Sequence, residues 1–178
     1  MRILNLATWA TTTLAIFSSQ VSARPDKPTA PALQFLYTAY VECTNTLMES
    51  NGPHGIRKAI PIVGGNFTGP RLSGKILDVG ADWGLEDPAT GIFSADTRYN
   101  FRTDDGADIF LQTSGPKAPS GDLHLRLVFE TGDRRYYWLN NIVAVGVLTN
   151  VGSTNSSSLL KIDAWNFVSD WNSTTFLD

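Results

Sequence analysis

Between Phe93 and Leu148 the chain runs FSADTRYNFRTDDGADIFLQT, a Gly/Pro/Ser loop, then LHLRLVFETGDRRYYWLNNIVAVGVL. Thr103-Asp104-Asp105-Gly106 separates two segments of alternating polarity, a strong local signal for a hairpin. On 93–102 the odd positions Phe93, Ala95, Tyr99 and Phe101 are largely apolar, and the even positions Ser94, Asp96, Arg98, Asn100 and Arg102 are polar. Leu123, Leu125, Leu127 and Phe129 stand against His124, Arg126, Val128 and Glu130 in the same way. A period of two is the mark of a half-buried strand. One reading puts the apolar set inside and the charged set in water, since charged side chains are almost never buried unpaired. A second turns part of the polar set toward a ligand cavity, as in barrels that hold one small molecule.

Other segments extend the pattern. Leu33, Phe35, Tyr37, Ala39 and Val41 alternate with Gln34, Thr38, Tyr40 and Glu42, and 56–63, 72–79, 93–103, 107–113, 123–131, 137–148 and 159–168 read as further strands. Asn51-Gly52-Pro53 breaks the chain, and Gly64-Gly65 and Gly69-Pro70 punctuate it; paired glycines in a strand mark a bulge or close backbone approach. Residues 80–91 and 152–158 read as loops, and no sustained 3.6-residue period is present. The fold class expected is all-β: a single small antiparallel β-barrel, favoured over a sandwich because closure removes exposed edges.

The ends set the compartment expected. Arg2, the mostly apolar run 3–17 and Val21-Ser22-Ala23 read as a signal peptide over 1–23. The apolar run is shorter than the roughly 20 residues a spanning helix needs, so the expectation is cleavage and secretion, with no stable membrane span afterwards. The alternative is a membrane tether formed by an uncleaved segment. Asn66-Phe67-Thr68, Asn155-Ser156-Ser157 and Asn172-Ser173-Thr174 are N-glycosylation acceptors, consistent with the secretory route. Residues 24–31, with three prolines, read as a linker, and 32–178 as the barrel domain. Removing 1–23 from the 178 residues leaves 155, enough for one domain with a real core. Cys43 is the single cysteine, so no intramolecular disulfide staples that core, and a buried apolar role suits it better than a nucleophilic one. Loss of Arg2 moves the net charge from −3 to −4, and no basic cluster exists beyond Arg134-Arg135, so nucleic acid is a poor partner.

The segments IPIVGGNFTGPRLSGKIL (60–77), GADW (80–83), ADTRYNFRTDDGADI (95–109) and FETGDRRYYWLNNIVAVG (129–146) resemble the domain of unknown function 3237 family over roughly 33–168. The shared pattern is a Gly-Gly-x-Phe-x-Gly turn, a Gly-Ala-Asp-Trp loop, an Arg-Tyr strand leading into Thr-x-Asp-Gly, a Phe-Glu-x-Gly segment and Tyr-x-Trp-Leu-Asn. The resemblance implies a small calycin-like (lipocalin-like) barrel and little about chemistry. Its relatives are mostly bacterial and lack a leader, so the leader and acceptor sites imply a eukaryotic, fungal member. A glycan on Asn66 would need the Gly-rich turn to face solvent, which sets that turn against a role as a ligand cradle.

No GxSxG elbow, HExxH, CxxC or GxGxxG is present, so neither a metal nor a cofactor is expected. His54 and His124 lack fitting partners nearby in sequence. Asp82 beside Trp83 could be a general acid or base over a stacking surface, or the pair could cap a turn and plug the barrel end. Arg98 and Tyr99 alternate, so only one faces inward: Arg98 would bind a carboxylate or enolate oxygen, and Tyr99 would offer a hydroxyl. Trp138 and Asn140 share one face of the strand read over 137–148, as an aromatic wall with an amide or as core. The function expected is a cofactor-free tailoring enzyme of fungal secondary metabolism, of the cyclase, isomerase or pericyclase type. It would bind a hydrophobic polyketide- or terpenoid-like intermediate, with Asp82 and Arg98 catalytic and Trp83, Tyr99, Trp138 and Asn140 shaping the pocket. The alternatives are a secreted, non-catalytic binder of a small ligand, and an interaction protein whose barrel is filled.

Overall fold

A computed structural model describes residues 30–168; the expected leader and Asn172 lie outside them. Ten strands follow in order: β1 (Ala32–Thr44), β2 (Met48–Gly52), β3 (Gly55–Thr68), β4 (Ser73–Asp82), β5 (Leu85–Glu86), β6 (Phe93–Thr103), β7 (Asp108–Pro116), β8 (Leu123–Glu130), β9 (Ala144–Ser153) and β10 (Ser157–Val168). A 3-10 turn, η1 (Tyr137–Asn141), separates β8 from β9. The path β1-β10-β9-β8-β7-β6-β4-β3 is closed by pairing of β3 back onto β1, while β2 and β5 stand beside the ring. All pairings are antiparallel, as the alternating sequence requires. Closure leaves no edge along the eight ring strands.

One aromatic cluster fills part of the interior. Phe67 and Phe101 stack at 4.1 Å between ring centroids, and Tyr37 meets Phe101 edge-on at 5.5 Å. Phe129 and Tyr99 complete the cluster through Tyr37 and Phe101. Aromatic pairs in these geometries contribute about 0.5–1.5 kcal/mol each beyond area burial.

Three local departures from regular alternation matter. In β1 the register shifts between Phe35 and Tyr37, so Leu36 and Tyr37 are both buried and Leu33 and Phe35 face outward. The simple alternation expected from Leu33 onward therefore holds only from Tyr37. In β3 the Gly64-Gly65 pair belongs to a bulge rather than a turn, and Asn66 is exposed on the outer surface of the strand. Gly65 has φ +130°, and a Cβ there would come within 2.0 Å of the Tyr40 carbonyl oxygen, so only glycine lets β3 close on β1.

The third departure corrects the strand read over 137–148. Its first half is η1, and pairing begins only at Ala144. Asn140 explains the difference. Its amide accepts from Thr131 N at 2.9 Å and donates to the Thr131 and Tyr137 carbonyls, each at 2.9 Å. A side chain that satisfies local backbone groups competes with a strand ladder. Arg135 bridges Asp133 and Asp105, and the Tyr136 hydroxyl donates to Asp105, which ties η1 to the β6–β7 turn.

Candidate functional site

The inward face is the apolar one. Ala95, Thr97, Tyr99 and Phe101 of β6 are buried, while Arg98 and Arg102 point away. Beyond the aromatic cluster the interior opens into a cavity of about 410 Å³, within the roughly 300–1,000 Å³ range of small-molecule sites. Val41, Ile60, Ile62, Leu123, Leu148 and Ile162 give it an apolar wall. The filled-barrel alternative does not describe this interior.

Polar groups converge at two levels. At the inner level, Asp82 of β4 pairs with Thr97 of β6, which pairs in turn with Thr113 of β7. The Thr97 and Thr113 hydroxyls are hydrogen-bonded to each other, and Thr97 also donates to the Thr113 carbonyl at 2.9 Å. Tyr99 sits one inward position deeper, with its hydroxyl buried near the Thr113 side chain but making no well-formed hydrogen bond. Burial pushes its phenol well above the ordinary range, partly opposed by Thr113. An orphaned buried hydroxyl on a cavity wall is a donor suited to a ligand oxygen. At the outer level, Phe93, Glu86, Lys58 and Lys117 surround the mouth, and Lys58 is held by Glu86 at 2.9 Å.

Asp82 is the titratable group at the inner level. Its Oδ1 accepts from the Asp96 backbone N–H at 2.8 Å. Burial pushes its carboxyl up to about 6; the Asp96 hydrogen bond and the Arg57 charge pull it down, and the Asp96 charge pushes it up. Cys43, also on the cavity wall, is driven up to about 12 by burial and by the charge of Asp82. Its thiol is therefore not a nucleophile at neutral pH.

The remaining sequence-based candidates lie elsewhere. Arg98 lies on the outer surface, 2.9 Å from Asp96, and with the Gln112 amide oriented to accept, its guanidinium also meets that oxygen. The odd–even alternation that brings Tyr99 inside puts Arg98 outside, so it contributes no charge to the cavity. Trp83, next to Asp82, is 39% exposed and lies outside the cavity lining. Its backbone carbonyl accepts from Arg57, and its backbone N–H donates to the Asp96 carbonyl at 3.0 Å. Trp138 and Asn140 belong to η1, at the β6–β7 turn end of the barrel, whereas the cavity mouth lies at the β7–β8 turn end. The Trp138 ring packs under the Arg71 guanidinium at 3.9 Å. Asn66 and Asn155 are exposed. Among the described residues no group of three or more His, Cys, Asp or Glu is placed to hold a metal ion, and no helix is long and apolar enough to cross a membrane.

Residues the sequence reading passed over are Thr97, Thr113, Lys58 and Lys117. Parity would have found two of them outright and a third by extension. Thr97 lies on the odd, buried series of β6, and Ile109, Leu111, Thr113 and Gly115 are buried along β7, a series that the exposed Lys117 continues past the strand's end onto the cavity lining.

The protein-of-unknown-function model numbered DUF3237 matches residues 31–166. The chain belongs to that family. A hydroalkoxylation enzyme from Penicillium herquei is 30% identical over 150 residues, covering 84% of this chain and 95% of that enzyme. The crystal structure of a β-barrel-like protein from Acinetobacter baumannii superposes with a TM-score of 0.71 at 32% identity, covering 80% of this chain and 99% of the other. That of an enzyme from Penicillium herquei superposes with a TM-score of 0.66 at 26% identity, covering 80% and 98%. The family thus includes at least one fungal enzyme built on this fold.

Proposed function

We propose that this chain is a cofactor-free tailoring enzyme of fungal secondary metabolism. In this reading it closes an oxygen-containing ring by adding a hydroxyl O–H across a carbon–carbon double bond of a polyketide- or terpenoid-like intermediate. The observation that carries the reading is the Asp82 carboxyl on the wall of a largely apolar cavity, with a pKa raised to about 6 by burial. The name of the fungal relative gives the reaction class.

The chemistry needs little else. Protonated Asp82 delivers its proton to one alkene carbon, and the developing cation at the other carbon is captured by the substrate hydroxyl. The proton released from that hydroxyl returns to Asp82, so the enzyme ends as it began. General acid–base catalysis of this kind is worth about 10²–10⁴-fold. The cavity supplies the rest by holding hydroxyl and alkene in a reactive fold, and the Tyr99 hydroxyl can orient a substrate oxygen. Of the residues first read as site candidates, Asp82 and Tyr99 carry this proposal; Arg98, Trp83, Trp138 and Asn140 take no part.

The test starts from deletion of the gene in its native host, with metabolite profiling by mass spectrometry. An uncyclised hydroxy-alkene should accumulate, and purified protein should convert it while Asp82→Asn loses about 10²-fold or more of that rate. An unchanged profile, together with ligand captured intact from culture medium, would instead favour a secreted binder.

A further inference from the structure

The cavity is graded along its axis. Its inner level holds Asp82 with Thr97 and Thr113, and its outer level holds Phe93 and Lys117. Lys117 lies beside Phe93: its backbone N–H donates to the Phe93 carbonyl at 2.8 Å, one step beyond the Ser94–Pro116 pair. From the level of Phe93 to that of Thr97 is four residues of one strand, about 13 Å at roughly 3.3 Å per residue.

The two lysines lining the cavity are not equivalent. Lys58 is neutralised by Glu86 at 2.9 Å and Glu49 at 3.6 Å. Lys117 makes no ion pair among the described residues, although an inward-facing series ends on it. The other carboxyls on the cavity wall are Glu86, held by Lys58, and Asp82 at the inner level. A lysine in register with a phenylalanine at the mouth of an apolar cavity suits a planar group carrying an anionic oxygen.

We propose that Lys117 anchors an anionic oxygen of the substrate (phenolate, enolate or carboxylate) at the mouth, so that the apolar alkenyl end enters first and reaches Asp82. This names the substrate class for the ring-closure reading and rests on it. The substrate is then an amphiphile with its acidic group up to about 13 Å from the alkene, less the inward reach of the lysine side chain. Neutral compounds of the same shape bind without a fixed direction.

Two probes sharing one skeleton test this without any turnover: anionic 8-anilinonaphthalene-1-sulfonate and neutral N-phenyl-1-naphthylamine, each titrated by fluorescence. Lys117 is exposed, so Lys117→Met should leave the fold intact. The anionic probe should bind wild type more tightly than the neutral one, with a preference that falls as salt is raised. Lys117→Met should weaken the anionic probe about tenfold and leave the neutral one unchanged, and Lys117→Arg should restore it. Leu123→Trp, which fills the mouth, should remove both. The proposal is overturned if wild type binds both probes equally, or if Lys117→Met shifts both or neither. It also fails if the anionic signal survives Leu123→Trp, because the anion site would then lie outside the cavity. Selective loss in Lys117→Met alongside full activity in Asp82→Asn would keep the anchor and discard the acid.

Discussion

A carboxyl inside a barrel must either meet a cation or give up part of its acidity, and Asp82 does mainly the second. Its pKa of about 6, against an ordinary 3.8, means that the native state holds the proton more tightly than the unfolded chain. That stabilisation is present in full below about pH 4 and is lost as pH rises through 6. A shift of this size is worth about 3 kcal/mol. Asp82→Asn keeps an oxygen for the Asp96 N–H and removes the charge. It should melt close to wild type at pH 4 and above it at pH 8, by up to about 3 kcal/mol. Asp105, Asp108, Asp133 and Asp163 have lowered pKa values and act in the opposite direction, but they are common to both proteins and cancel in the difference. Thermal melts of the pair across pH 4–8 check this; parallel curves would mean that Asp82 ionises freely. Activity should fall above about pH 6, as the acid form is lost.

At the scale of elements, β6 and β8 could be read from sequence because one side of each strand is apolar at most positions. The site was legible only where parity was unbroken: Tyr99 inside fixes Arg98 outside. Elsewhere the outcome depended on backbone events that alternation does not encode. The register shift near Leu36 turns Leu33 and Phe35 outward, and the Asn140 amide holds η1 where a strand was expected. Lys117 is not directly legible in the alternation because Gly115 and Pro116 stand between it and Thr113, and both are turn residues. Two substitutions probe these events. Gly65→Ala would place a Cβ against the Tyr40 carbonyl at a positive φ, so it should cost at least about 2 kcal/mol in chemical denaturation and loosen the β1–β3 closure. Asn140→Ala removes three hydrogen bonds to backbone and should cost about 1–3 kcal/mol, yet leave probe binding in the cavity unchanged because η1 lies at the other end.

The whole molecule divides its labour along the barrel axis. Stacked Phe67 and Phe101 with Tyr37 supply the cohesion that disulfides cannot give a chain with one buried cysteine. That cohesion lets the other half stay hollow, where a filled core would otherwise contribute about 25 cal/mol for each Å² of apolar surface buried. The outer surface of β3 is then free to carry modification without touching the cavity. Asn66 is exposed on β3, facing away from the interior, and Asn155 is exposed in the β9–β10 turn. If the protein passes through the secretory pathway, a glycan on Asn66 leaves the cavity open, whereas Asn155 stands at the mouth end, in the turn between the lining residues Asn150 and Ser158. Protein from a eukaryotic host should lose mass on treatment with peptide N-glycosidase, and Asn66→Gln with Asn155→Gln should remove most of that change, while Asn66→Gln alone should leave the affinity for the anionic probe within about twofold of wild type. An unchanged mass of wild type on that treatment would argue against the secretory route. A loss of probe binding in Asn66→Gln alone would instead couple the outer surface of β3 to the cavity, against the division along the axis.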